Sequence, residues 1–176
     1  MKFGIIVVFV LLAFSACASE HHLLSVHDLL LSTEEVALLQ LSVDQECVIE
    51  EYQTSETSPL AQSSFCSFVS QNDSVHLIID IKKYTNEQDV LGSFQYQSSR
   101  HRSPQGILAQ NTHGSYSTFV MNVEEDYMGH LNDPEMYYYH LWIAKDLFLI
   151  HITSRGTVSD ESLLLAVADK LLLRFA

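Results

Sequence analysis

The firmest structural signal in the chain lies between Tyr137 and Thr153. Two apolar runs, Tyr139 to Ala144 and Leu147 to Ile152, flank Lys145-Asp146. Short apolar runs rich in β-branched and aromatic residues form strands. A two-residue connection joins strands only antiparallel, and Asp tolerates the left-handed backbone such a turn can demand. Gly156 ends the pair. Downstream, Leu164, Val167, Ala168, Leu171, Leu172 and Phe175 recur at helical spacing. They predict a helix capped by Ser159 or Asp160 and running to about Phe175, with one broad apolar face. That face must cover a sheet, and the hairpin is its obvious partner.

The same reasoning orders the rest of the chain. Ser25-Val26-His27-Asp28 and Ser32-Thr33-Glu34-Glu35 read as capping boxes, the second opening a helix to about Leu41. Glu46 to Thr54, Phe65 to Ser70 and Val75 to Tyr84 read as strands, separated by a polar loop (Ser55 to Ser64) and a turn (Gln71 to Ser74). In the third, Val75, Leu77, Ile79 and Ile81 point one way, while His76, Asp80 and Lys82 point the other. Thr85-Asn86-Glu87-Gln88 is a third box, opening a helix to about Ser98 with Val90, Leu91 and Phe94 as its apolar stripe. A loop with Arg100-His101-Arg102 follows, then strands at Ile107 to Gln110 and Ser117 to Glu124, then an acidic loop from Glu125 to Met136. Antiparallel strands interleaved with helices define an α+β domain over residues 25–176: an antiparallel sheet covered by helices, including a long C-terminal helix.

Residues 1–18 stand apart from this pattern. Lys2 precedes an unbroken apolar run from Gly4 to Phe14, and small residues follow, which is the layout of an export signal. The run is too short to span a bilayer, which takes about 20 residues. Ala16-Cys17-Ala18 fits cleavage before Ser19, whereas Phe14-Ser15-Ala16-Cys17 resembles the lipobox of bacterial lipoproteins, with lipidation of Cys17. Both routes stay open, with an uncleaved anchor as a third, and residues 19–24 form a tether. The destination is an oxidising compartment, so Cys47 and Cys66, the two cysteines of the body, are expected to form a disulfide. The formal charge of −13 excludes a nucleic-acid partner and charge-driven attachment to anionic lipid. Membrane contact is expected only through a lipid at Cys17.

Catalytic signatures are missing. There is no nucleophile elbow around Ser115, no H-E-x-x-H and no P-loop. Glu50-Glu51 and Glu124-Glu125-Asp126 are adjacent acids, which strands send to opposite faces. His76, His140 and His151 fall in strands as structural or surface histidines. Cleavage after Ala18 would place His21 third from a free amine, a pattern suited to square-planar Cu(II) or Ni(II), and lipidation of Cys17 would abolish it. The acidic loop, with Glu125, Asp126, Asp133 and Glu135, lacks the spacing of a calcium loop. Tyr138 is a candidate for a sugar- or partner-binding surface, and Asn72-Asp73-Ser74 is a glycosylation sequon. No cofactor is expected, and His21 is the one metal candidate.

Leu31-Ser32-Thr33-Glu34-Glu35-Val36, the cysteine strand Phe65-Cys66-Ser67-Phe68 and the alternating strand Val75 to Ile81 resemble small bacterial envelope lipoproteins. The later half resembles the PsbP-like α/β/α sandwich, with Asp146 at a hairpin position often held by Gly. The resemblance implies a non-enzymatic envelope protein with a protein partner or small ligand, and it carries over no functional residue. The expectation is an exported, non-catalytic protein, lipid-anchored or periplasmic, acting by binding or assembly. Two alternatives are a secreted enzyme using distant residues such as His113, Asp126 and His140, and a secreted effector.

Overall fold

A computed structural model describes residues 24–55, 57–72, 74–100, 106–122, 135–157 and 161–176. The expected signal peptide with Cys17, residues 19–23 of the tether with His21, His101-Arg102, Asp126 with the adjoining acidic loop as far as residue 134, Ser159 and Asp160 lie outside the described residues.

The strands are β1 (Leu41–Glu51), β2 (Leu60–Ser70), β3 (Val75–Tyr84), β4 (Ile107–Gln110), β5 (Tyr116–Asn122), β6 (Tyr137–Lys145) and β7 (Phe148–Gly156). They form one sheet in the order β1-β2-β3-β7-β6-β5-β4, antiparallel at every step. Two meanders, β1 to β3 and β4 to β7, meet where Ile79 pairs with Ile152 and Ile81 with Ile150. The connection from β3 must therefore travel from mid-sheet to the far edge. It does so as α2 (Glu87–Arg100), which lies against β3, β7 and β6.

Strand alternation sorts the core into two faces. Leu77, Ile79, Ile81, Leu141, Ile143, Ile150 and Ile152 are at most 2% exposed and pack with α3 (Ser162–Leu172). Trp142, Ala144 and Leu149 project from the other side of the same strands and pack with Val90 and Phe94 of α2. On α3, Leu164, Val167, Ala168 and Leu171 are fully buried, and each leucine contributes roughly 1.5–3 kcal/mol. This helix is shorter than the expected one. It tightens into a 3₁₀ turn at Leu173–Phe175, whose i→i+3 bonds satisfy the last carbonyls. The turn carries Phe175 edge-on to Phe148, centroids 5.5 Å apart.

The Ser32 capping box is complete: Glu35 N donates to Ser32 Oγ at 3.2 Å and Ser32 N donates to Glu35 Oε2 at 2.9 Å. Arg174 also donates to Glu35, joining α1 (Thr33–Leu38) to the C-terminal turn. The Arg174 guanidinium, then the Ser32 amide, hold the Glu35 carboxyl below its usual range. The helix stops three residues before Leu41 because Gln40 turns left-handed, φ 55°, with no glycine to announce it. The helix before β4 is capped one residue later than its sequence suggests, Asp89 N donating to Asn86 Oδ1 at 3.0 Å. The β6–β7 turn is Asp146-Leu147 and not Lys145-Asp146, since Lys145 pairs with Phe148 and Asp146 takes φ 50°.

At the β1 edge, two register shifts insert extra residues opposite β2. One brings Cys47 alongside Cys66, and the two form a disulfide with Cα atoms 4.3 Å apart. Among the described residues, no helix is long and apolar enough to cross a membrane.

Candidate functional site

Strand pairing lays side chains in rows across the α2 face. Phe65, Asp80, His151, Trp142 and Thr118 are successive partners across β2, β3, β7, β6 and β5. The neighbouring row is Ile78, Thr153, His140 and Val120. Trp142 is the single tryptophan of the chain and is 1% exposed. Its indole lies 4.5 Å from the His151 ring and 5.4 Å from the His140 ring, with planes 10° apart in both cases.

The two histidines form a bonded pair. His140 Nδ1 and His151 Nε2 are 3.3 Å apart, and Thr153 Oγ1 lies 3.4 and 3.2 Å from the same two nitrogens. The ring centroids are 5.5 Å apart, close to the nitrogen separation plus two ring radii. The imidazoles therefore lie edge to edge, each nitrogen within hydrogen-bonding reach of the other ring. These are the structural histidines expected from the sequence, and they satisfy one another.

A cleft of about 370 Å³ opens between the C-terminal half of α2 and this row. Small-molecule sites run from roughly 300 to 1,000 Å³. Tyr96, Gln97 and Arg100 form its helix wall, and Asp80, Lys82, Trp142 and His151 form its sheet wall. Lys82 Nζ lies 2.8 Å from Asp80 Oδ2, both side chains half-buried. Arg100 Nη1 donates to the Tyr96 hydroxyl at 2.8 Å, and the guanidinium stands 5.2 Å from that ring. Spacing of i,i+4 makes the latter pair neighbours on the helix surface. The cleft thus joins rings, a carboxylate and two cations drawn from α2, β3, β6 and β7.

Two further cavities differ in chemistry. One of about 480 Å³ is lined by neutral groups, including Gln40, Asn72 and Leu163. There Asn72 Oδ1 already accepts from Ser70 Oγ and from the amide and hydroxyl of Ser74. Another, about 290 Å³, sits at the N-terminal end of α2 over Val90, Leu91 and Ala144.

The structure does not assemble the constellation of His113, Asp126 and His140. His113 lies 3.8 Å from Asp169 of α3, on one side of the sheet, while His140 packs on the α2 side. Asp126 is outside the described residues. Ser115 is exposed before β5, its amide bonded to Ala144 O, and it sits on a strand-to-strand connection, not on a strand-to-helix turn. Glu50 and Glu51 are exposed on the edge strand, engaged by Tyr52 and by Gln62. His76 and Tyr138 both pair across strands with Arg155 on the α2 face. Among the described residues, no group of three or more His, Cys, Asp or Glu is arranged to hold a metal ion. Sequence reasoning missed the cleft, although the Tyr96–Arg100 spacing and the shared face of His140, Trp142, His151 and Thr153 were its signals.

No family model matches the chain, and no curated protein matches it. Among solved structures, the extracellular domain of PknH from Mycobacterium tuberculosis is similar in fold, with a TM-score of 0.61 and 7% identity, over 84% of this chain and 93% of that domain. The class so defined is an α+β fold built on one seven-stranded antiparallel sheet.

Proposed function

We propose that this chain is an exported, non-catalytic protein of the cell envelope that binds a small ligand in the cleft between α2 and the sheet. The cleft carries the reading: two preset cations, a carboxylate and a ring cluster converge on one concave site, the usual anatomy of a binding pocket. Export is supported by the signal-like residues 1–18, by the disulfide and by the extracellular setting of the PknH domain. Attachment by a lipid on Cys17, or release with Ser19 first, belongs to the same proposal, as does kinship with PsbP-like envelope lipoproteins. The experiment is a thermal-shift screen of a metabolite library on the mature protein, repeated on Tyr96→Ala. Ligands that raise the melting temperature of the native protein and not of the variant support the reading. Hits indifferent to Tyr96→Ala sink it. The intact mass of the mature protein decides between lipidated Cys17, free Ser19 and an uncut chain.

A further inference from the structure

The chain as a whole carries 22 acidic against 9 basic residues. Among the described residues that line the cleft the balance is inverted, with Lys82 and Arg100 facing one carboxylate, Asp80. An acidic protein repels anions over most of its surface, so a local positive site selects the anion that fits it.

Both cations are held in place. Asp80 fixes the Lys82 ammonium at 2.8 Å, and Tyr96 fixes the Arg100 guanidinium through its hydroxyl and its ring. Ordering long side chains on binding costs conformational entropy, and side chains already tethered lose less. A guanidinium presents a planar fork that matches a carboxylate. Asp80 offsets one of the two positive charges and disfavours a dianion such as a phosphate monoester. The same cleft presents flat surfaces: the Tyr96 ring, 62% exposed, and the imidazole of His151. A volume of about 370 Å³ admits one or two fused rings with a substituent.

On the premise that the cleft binds a ligand, we infer that the ligand is a small ring-bearing monocarboxylate, its carboxylate between Lys82 and Arg100 and its ring against Tyr96 and His151. Trp142 is the only tryptophan and lines the same cleft, so its fluorescence reports occupancy.

The test titrates the mature protein with benzoate, indole-3-carboxylate, benzamide, phenyl phosphate and acetate, read by Trp142 fluorescence and calorimetry at fixed ionic strength. The ring carboxylates should bind saturably. Benzamide and phenyl phosphate should bind at least about tenfold more weakly, and acetate should not saturate. Lys82→Met and Arg100→Met should each weaken benzoate by about tenfold or more, while Lys145→Met, outside the cleft, leaves it unchanged. Equal affinity for benzamide, or benzoate binding indifferent to Lys82→Met and Arg100→Met, overturns the inference, as does failure of both ring carboxylates to bind. Neutral library ligands that still require Tyr96 would then preserve the cleft as a binding site and discard only the anion.

Discussion

Replacing Cys47 with Ser should cost about 3 kcal/mol of folding stability. Cys47 sits half-exposed on β1, so the hydroxyl stays near solvent and the substitution mainly removes the cross-link. The bridge spans a sequence separation of 19. In the chain-entropy treatment, a loop of that length lowers the entropy of the unfolded chain enough to give about 3 kcal/mol at 25 °C. Cys66 is a poorer probe, because it is 2% exposed inside the larger core and a buried hydroxyl there would add its own cost. The assay is thermal denaturation of oxidised wild type, reduced wild type and Cys47→Ser. The variant and the reduced protein should coincide, both melting roughly 6–12 °C below the oxidised protein. A variant as stable as the oxidised protein, or two alkylatable thiols in the native exported form, would refute the reasoning.

Three other substitutions probe the frame. Gly156→Ala should destabilise by roughly 1–3 kcal/mol in urea denaturation, because its Cβ would stand 2.4 Å from Ser74 O and 2.9 Å from Val75 Cγ2. Ser64→Ala should be neutral or stabilising by calorimetry, since the Ser64 hydroxyl is buried without a partner among the described residues. Glu35→Gln should lose roughly 1–2 kcal/mol at neutral pH through its weaker bonds to Ser32 and Arg174. Glu35 titrates lower in the folded chain than in the unfolded one, so its contribution is full above the unfolded value of 4.5 and is lost as pH falls through the folded value. Stability against pH for Glu35→Gln should therefore converge on wild type in acid. A gap that persists below both values would exclude this linkage.

The frame was legible where periodicity and burial agree. Val75 to Tyr84 alternates in sequence, and Leu77, Ile79 and Ile81 are all buried on one face. The hairpin and the apolar face of the last helix were equally plain, because each contains more apolar residues than any polar alternative can expose. Boundaries failed where local signals were weak. Gln40 ends a helix in a conformation usually taken by Gly or Asn, so the start of β1 was hidden inside the expected helix. Leu60–Ser70 includes Gln62, Ser63 and Ser64, which read as a loop and yet pair on both sides as a strand. The cleft was hidden for another reason. Moving the hairpin turn by one residue moves the register by two, pairing His140 with His151 and Trp142 with Leu149 where the true partners are Thr153 and His151. The faces survive that error, but the stack does not. Asp80 and Lys82 join the site only through β3–β7 pairing, a contact between two meanders that no local pattern encodes.

Whether the space between α2 and the sheet is where this protein binds can be read from one resonance. The chain has a single indole, that of Trp142 at the cleft, so an amide correlation spectrum contains one indole N–H signal that needs no assignment. Titrating benzoate into the mature protein should shift that signal together with the amides of Tyr96, Gln97 and Arg100. The amides of Gly114 and Asp169, across the sheet, should stay still. A saturable titration that moves Gly114 and Asp169 and leaves the indole where it was would put the site on the other face and refute the account.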